Sequence, residues 1–164
     1  MTWVLEQEDI DAPTVYEILK RHRLLPESTM MAASICNTLA TGERFVLKDT
    51  EDGEVIGNLF VTPVVDTGVV QLDFVPVVKH FRTGFDEPLR EALVPLLTSL
   101  FEAGVRRVES SIPESRSRTK RALCTVGFKP EGRARDGIVL HGKAPEDVRM
   151  LGLLQPYLEG VSHG

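Results

Sequence analysis

Cysteine is scarce in this chain. Cys36 and Cys124 are the only two among 164 residues, and neither stands in a Cys-x-x-Cys or Cys–His spacing. That argues against a redox pair or a zinc site and fits a reducing compartment. His22, His80, His141 and His163 are scattered without metal-ligand spacing. Each except His80 reads as a partly exposed polar residue. No apolar run is long enough to span a bilayer, and the opening "MTWVLEQEDIDAP" lacks the basic and then apolar zones of a signal peptide. A cytoplasmic location without a membrane partner is the expectation. Positive charge is not in excess either: the formal net charge of -5 argues against coating nucleic acid by general electrostatics. Repeats and low-complexity segments are absent as well.

What is present suits a soluble globular chain. Hydrophobic residues make up 42% and charged residues 26%, and the length fits one core. The expected domain is residues 1–154, with 155–164 as a loose tail. A short strand at "WVLEQ" precedes a helix at "DAPTVYEILKRHRL", with Asp11 as N-cap, Pro13 in the first turn, and Val15, Ile18 and Leu19 on one face. A second helix opens near Ser28 and stops at Gly42. "RFVLKD" and "EVIGNLFVTPVV" are strand-like and joined through Asp52-Gly53; "GVVQLDFVPVV" is a further strand after the turn at Asp66 to Gly68.

"PLREALVPLLTSLFEAG" has the clearest helical period, with Leu89, Leu93, Leu96, Leu97 and Leu100 as a stripe and Pro95 inside it. "VRRVESSI" is a strand, "SRSRTKRALCTVG" a short basic helix, and "GIVLHGK" and "VRMLGLL" two final strands. The fold class is α/β (α+β): a mixed, mainly antiparallel sheet of about six to seven strands, flanked by about four helices.

The stretch "KHFRTGFDEPLREAL" runs from an apolar strand through Gly84 straight into a helix, a layout suited to phosphate. Later, "GFKPEGRARDG" follows the short basic helix. Together with the element order, these segments resemble the GNAT superfamily of acyl-CoA-dependent N-acyltransferases, over nearly the whole chain. The closer resemblance is to the branch that acetylates protein N-termini and small amines. It implies a splay after the fourth strand, acetyl-CoA as acyl donor, and a primary amine as acceptor, on a small molecule or a protein N-terminus. Domains of this kind often form homodimers.

Carried onto this sequence, the resemblance assigns Phe74, Val75 and Val77 to the pantetheine arm. Pro76 among them either marks the splay or removes a donor. Arg82, Thr83, Gly84 and Phe85 fall in the pyrophosphate turn. There Phe81 replaces a polar lead residue and Asp86 a second glycine, and Asp86 also reads as an N-cap that would take the N–H groups a phosphate needs. Arg116 and Thr119 fall near the cofactor, with Arg118 and Arg121 beside them. Leu123 stands where many members carry a tyrosine acid, so Thr119 or water would serve instead.

Asp73 and Glu109 are the candidate bases and His80 a third, each with the alternative of facing solvent or pairing with a nearby arginine. Arg106, Arg107, Arg116, Arg118, Lys120, Arg121, Arg133 and Arg135 crowd the later half as a solvated face or an anion site. A nucleic-acid partner rests on that cluster alone, and no aromatic residue is interleaved for stacking. Besides catalysis, the resemblance leaves room for a degenerate domain serving as an interaction module.

Overall fold

The computed structural model describes residues 1–161. His163 lies outside the described residues. The strands are β1 (Trp3–Glu8), β2 (Glu43–Asp49), β3 (Val55–Val64), β4 (Val69–Pro76), β5 (Arg107–Pro113), β6 (Lys129–Ile138) and β7 (Glu146–Leu153). The helices are α1 (Ala12–Arg21), α2 (Thr29–Leu39), α3 (Asp86–Glu102), α4 (Ser117–Val126) and α5 (Gln155–Val161). One turn of 3-10 helix, Val78–His80, follows β4. The strands form one sheet in the order β1-β2-β3-β4-β5-β7-β6. All neighbours are antiparallel except β4 and β5. That exception follows from connectivity: α3 carries the chain back across the sheet between β4 and β5, the crossover a parallel pair requires.

Local chemistry sets the helix ends. The Asp11 carboxylate accepts from the Thr14 N–H at 2.7 Å and the Ser28 hydroxyl from the Met31 N–H at 3.2 Å, each occupying one otherwise unpaired donor of the first turn. Gly127 ends α4 with φ +118°, a conformation that suits glycine. The helix α3 continues through Pro95, where the Ser99 hydroxyl donates to the Pro95 carbonyl at 3.0 Å.

Apolar periodicity then sorts the two faces. Leu59, Leu72, Phe74 and Val108 of the sheet meet Leu89, Leu93 and Leu97 of α3 and Leu123 of α4 on one side. Phe60 and Val75 meet Val15, Ile18 and Leu19 of α1 and Cys36 and Leu39 of α2 on the other. Neighbouring residues of β4 thus point to opposite layers, as the period of two demands. Gly57 makes this packing possible: a Cβ there would lie 2.9 Å from the Phe74 ring and 3.1 Å from the Val75 carbonyl oxygen.

Two expectations need correction. The strand placed at "GIVLHGK" lies earlier, at Lys129–Ile138. Nearly all of β6 is exposed at the sheet edge, so its residues carry no apolar alternation to read. The loose tail is also wrong for the described residues: α5 places Leu158 in the core at 3% exposure, and Lys129 Nζ sits 4.2 Å from the Tyr157 ring centroid. Among the described residues the sheet has seven strands and the α-helices number five, which agrees with the expected architecture of about six to seven strands and about four helices. Among the described residues, no helix is long and apolar enough to cross a membrane.

Candidate active site

β4 and β5 pair only at Val69–Arg107, Val70–Val108 and Gln71–Glu109. Both strands continue past that point, to Pro76 and Pro113, so they diverge and leave an opening. The accounting of backbone groups in β4 decides what this opening offers. The Val77 N–H donates to the Ile56 carbonyl at 2.8 Å. By the two-residue alternation of an antiparallel ladder, Val75 and Asp73 also turn their backbone groups toward β3. Phe74 and Pro76 therefore aim theirs into the opening. Of the three residues expected along a pantetheine arm, only Phe74 has a free backbone. Pro76 lies at an open position and supplies a carbonyl without an N–H.

Two cavities occupy the divergence. The inner one, about 140 Å³, is bordered by Asp73, Phe74 and Val75 of β4, Ser110 to Pro113 of β5, Arg116 and Thr119, with apolar walls from α1, α2 and the end of β6. The outer one, about 320 Å³, is bordered by His22, Val75, Pro76, Val78 and Ser115 to Thr119. Leu24, Val75, Arg116 and Thr119 border both. A third cavity of about 590 Å³ lies between α1 and α2. Its lining includes Leu25, Pro26 and His141, from the stretch in which Pro26 bridges Leu140 and the His141 N–H donates to Leu25 O at 2.9 Å.

Asp73 is the only one of the three candidate bases that borders these cavities. It is half-buried, and among the described residues its carboxylate has no hydrogen bond or ion pair. Burial pushes its pKa up to about 6, since taking a carboxylate out of water penalises the ionised form. The side chain fronts the cavity and keeps some accessible surface.

Glu109 is not brought there. It accepts from the Arg107 Nε–H at 2.7 Å and the Gln71 side chain at 3.1 Å, the paired arrangement that occupies a carboxylate. His80 lies 3.2 Å from Glu54 and is likewise remote from the opening.

The N-terminus of α4 forms one wall of the outer cavity. Arg116 caps it without a side-chain hydrogen bond to the helix, so the first N–H groups and the positive end of the dipole face that space. Thr119 is 7% exposed, and its hydroxyl has no hydrogen-bond partner among the described residues. Arg116 reaches across the divergence: its Nη2 donates to His22 O at 2.7 Å and to Arg23 O at 3.2 Å, while its Nε is buried without a partner. Burial, foremost, lowers the pKa of both Arg116 and His22. The guanidinium stays charged at any working pH, whereas His22 is held toward its neutral form.

The turn after β4 differs from expectation in detail. Phe81 and Phe85 are each 1% exposed, with ring centroids 5.3 Å apart, and Phe81 also meets Trp3 and Phe74 at 5.4 Å each. Their side chains are core, leaving only backbone to a ligand. Arg82, Thr83 and Gly84 are exposed, and Gly84 takes φ +70° with open space where a Cβ would stand. Asp86 is not the N-cap. Phe85 holds that position, and no side chain caps the helix. The N–H groups thus remain uncovered, but Asp86 and Glu87 place negative charge in the same turn. Arg121 brings a cation to 5.9 Å from the Phe85 ring.

The basic cluster also divides. Arg107 is paired with Glu109 and Glu131, and Arg133 with Asp147. Arg106 donates to Thr67 O at 2.7 Å. Arg116 and Arg118 border the opening. Leu123 is fully buried, and burial raises the pKa of the Cys124 thiol.

Sequence reasoning missed Ser110 and Ser111. A polar pair inside the buried strand "RVESSIP" was the available signal. It also missed Arg116 as a bridge to α1, a contact across more than ninety residues that no local pattern carries.

An antiparallel sheet broken by one parallel pair that opens beside a helix N-terminus is the fold of the GNAT N-acetyltransferases. Among solved structures, mutant forms of the spermidine/spermine N-acetyltransferase SpeG of Vibrio cholerae match with TM-score 0.68 and 17% identity over 98% of both chains. The complex of the spermidine N-acetyltransferase from the same organism with CoA and spermine matches with TM-score 0.67 and 16% identity over 96% of this chain and 98% of that one. The ribosomal-protein-S5-alanine acetyltransferase of Vibrio fischeri matches with TM-score 0.64 and 16% identity over 94% and 93%. No family model and no curated protein sequence matches the chain.

Proposed function

We propose that this protein is an acyl-CoA-dependent N-acyltransferase that transfers an acyl group, acetyl in the first instance, to a primary amine within a ternary complex. The observation that carries this reading is the unpaired Asp73 carboxylate, set on β4 where the sheet opens into a cavity. The fold supports it, since its neighbours include an acetyltransferase structure with CoA and spermine bound.

The residues fit a thioester co-substrate. Acyl-CoA supplies the acyl group. The Phe74 N–H is the strand donor available to its carbonyl oxygen, and the Pro76 carbonyl can accept from an amide of the pantetheine arm. The α4 N-terminus with Arg118, and Arg82 and Arg121 at the turn, offer positive potential to phosphate groups. Asp73 draws an ammonium group into the inner cavity by charge and takes its proton, leaving the free amine to attack. The new C–N bond forms as the C–S bond breaks, and the proton that the acylated nitrogen sheds balances the one with which the sulfur leaves. Thr119 or water is the candidate donor of that proton, because Leu123 has none to give.

A second reading has its own support: Pro76 withholds an N–H from the opening, and Asp86 and Glu87 repel phosphate at α3. On that reading the chain is an interaction module with this fold. Calorimetry with acetyl-CoA and desulfo-CoA separates the two. Saturable binding supports the enzyme; no binding at millimolar ligand leaves the module. Arginine-directed nucleic-acid chemistry is a weaker third reading, since Arg107 and Arg133 of the basic cluster are committed to ion pairs and Arg106 and Arg116 to backbone carbonyls.

A further inference from the structure

The inner cavity has one polar end and one apolar end, and its size is limited. Asp73 and Ser110 of the sheet and Thr119 of α4 put polar groups on one side, among apolar sheet residues such as Val75; the walls from the helices and the β6 end are Leu19, Leu24, Ile35, Leu39, Ile138 and Leu140. The volume is about 140 Å³ and the cavity is partly open; that is space for a group of roughly benzene size, by comparison with the about 150 Å³ that holds benzene in an enclosed apolar cavity. Among the described residues Asp73 is the only acidic side chain bordering it, and Arg116 adds a cation to its wall.

We infer that the acceptor is a compact monoamine, with its ammonium at Asp73 and an apolar body the size of a benzene ring or a four- to six-carbon chain against α1 and α2. This rests on the acyltransferase reading and narrows it. A polyamine would carry a second ammonium into aliphatic walls that offer it no anion, with the Arg116 charge nearby. Burying an unpaired charge in this way is strongly unfavourable. A polypeptide N-terminus would bring peptide N–H and C=O groups against the same walls, where they would lose water and gain no partner. The apolar end instead rewards burial of methylene and ring carbon.

The test measures amine binding first, without acyl donor, by calorimetry on the full chain with benzylamine, pentylamine, spermidine and an alanine-starting tripeptide. Acetyl transfer to the same four is then followed by mass spectrometry. Benzylamine and pentylamine are expected to bind, and their kcat/KM to exceed that of spermidine and the peptide by at least about 100-fold, the scale of an unpaired buried charge.

Ile35, partly exposed at the cavity wall, supplies the control. Ile35→Trp should abolish monoamine binding while acetyl-CoA binding is unchanged, and Ile35→Ala should shift preference toward longer chains. A preference for spermidine or the peptide overturns the inference and leaves the acyltransferase reading standing. Failure of both monoamines to bind also overturns it. Monoamine binding lost in Ile35→Trp, with no acetyl-CoA binding in any variant, upholds the cavity assignment and overturns the acyltransferase reading.

Discussion

The helices α3 and α4 pack on the same face of the sheet, yet their N-termini carry opposite chemistry. Both lack a side-chain cap, so both leave N–H groups and a positive dipole end uncovered. The first turn of α4 adds Arg118 and borders the outer cavity; the first turn of α3 adds Asp86 and Glu87 and borders none of the three cavities described. A glycine turn followed by a helix is therefore only half of an anion site. The side chains of the first turn decide the sign of its field, and here they are basic at α4 and acidic at α3, with Glu146 already occupied by the Ser115 N–H and hydroxyl just before α4.

The contrast matters only if the opening between the strands performs chemistry, and the largest effect is expected there. Asp73→Asn should lower turnover by about 10²–10⁴-fold, the usual contribution of a positioned base, while acetyl-CoA affinity is retained.

The same variant should raise stability. The Asp73 pKa rises from 3.8 to about 6 on folding, so between those values the folded chain holds a proton that the unfolded chain has released. Stability accordingly falls as pH rises from about 4 to about 6 and remains lower above it. Denaturation at pH 8 should show Asp73→Asn more stable by about 1–3 kcal/mol, with the gain vanishing near pH 4. An equal gain at both pH values would mean the carboxylate is solvated.

Charge reversal at the two helix starts tests the comparison itself. Arg118→Glu should weaken acetyl-CoA about tenfold by calorimetry. Asp86→Gly should tighten it about two- to fivefold, with the gain shrinking at high salt. Equal and opposite responses would place the phosphates midway between the helices, and no response in Asp86→Gly would remove α3 from the site. The smallest effect belongs to Glu109→Gln. It should leave turnover unchanged and cost about 0.5–1 kcal/mol in thermal unfolding, because Arg107 keeps Glu131.

The fold was legible because its elements announce themselves locally. Asp11 and Ser28 cap helices, Leu89, Leu93 and Leu97 repeat with a helical period, and Gly127 stops α4. β6 was misplaced because a strand exposed on both faces has no pattern to read. The role of α5 was missed because Tyr157 and Leu158, the residues that pack on the core, are too few and too close in sequence to show a helical period.

The candidate site was legible in part. A lone acid in the apolar run "QLDFVP" marked Asp73 as a candidate, and the structure sets it at the opening. Glu109 looked equivalent, and only the three-dimensional pairing with Arg107 and Gln71 separates them. The commitment of the Val77 N–H to β3, and the reach of Arg116 to His22 and Arg23, depend on register and tertiary approach. No residue-by-residue reading contains them.

The pH dependence of kcat/KM for acetyl transfer to a primary monoamine, measured for the parent chain and for Asp73→Asn, tests the central claim most directly. The account predicts a limb that rises through about pH 6 in the parent chain and is absent from the variant, whose rate is lower throughout. A parent chain with no transfer at any pH, or a variant with the same limb and the same rate, would contradict it.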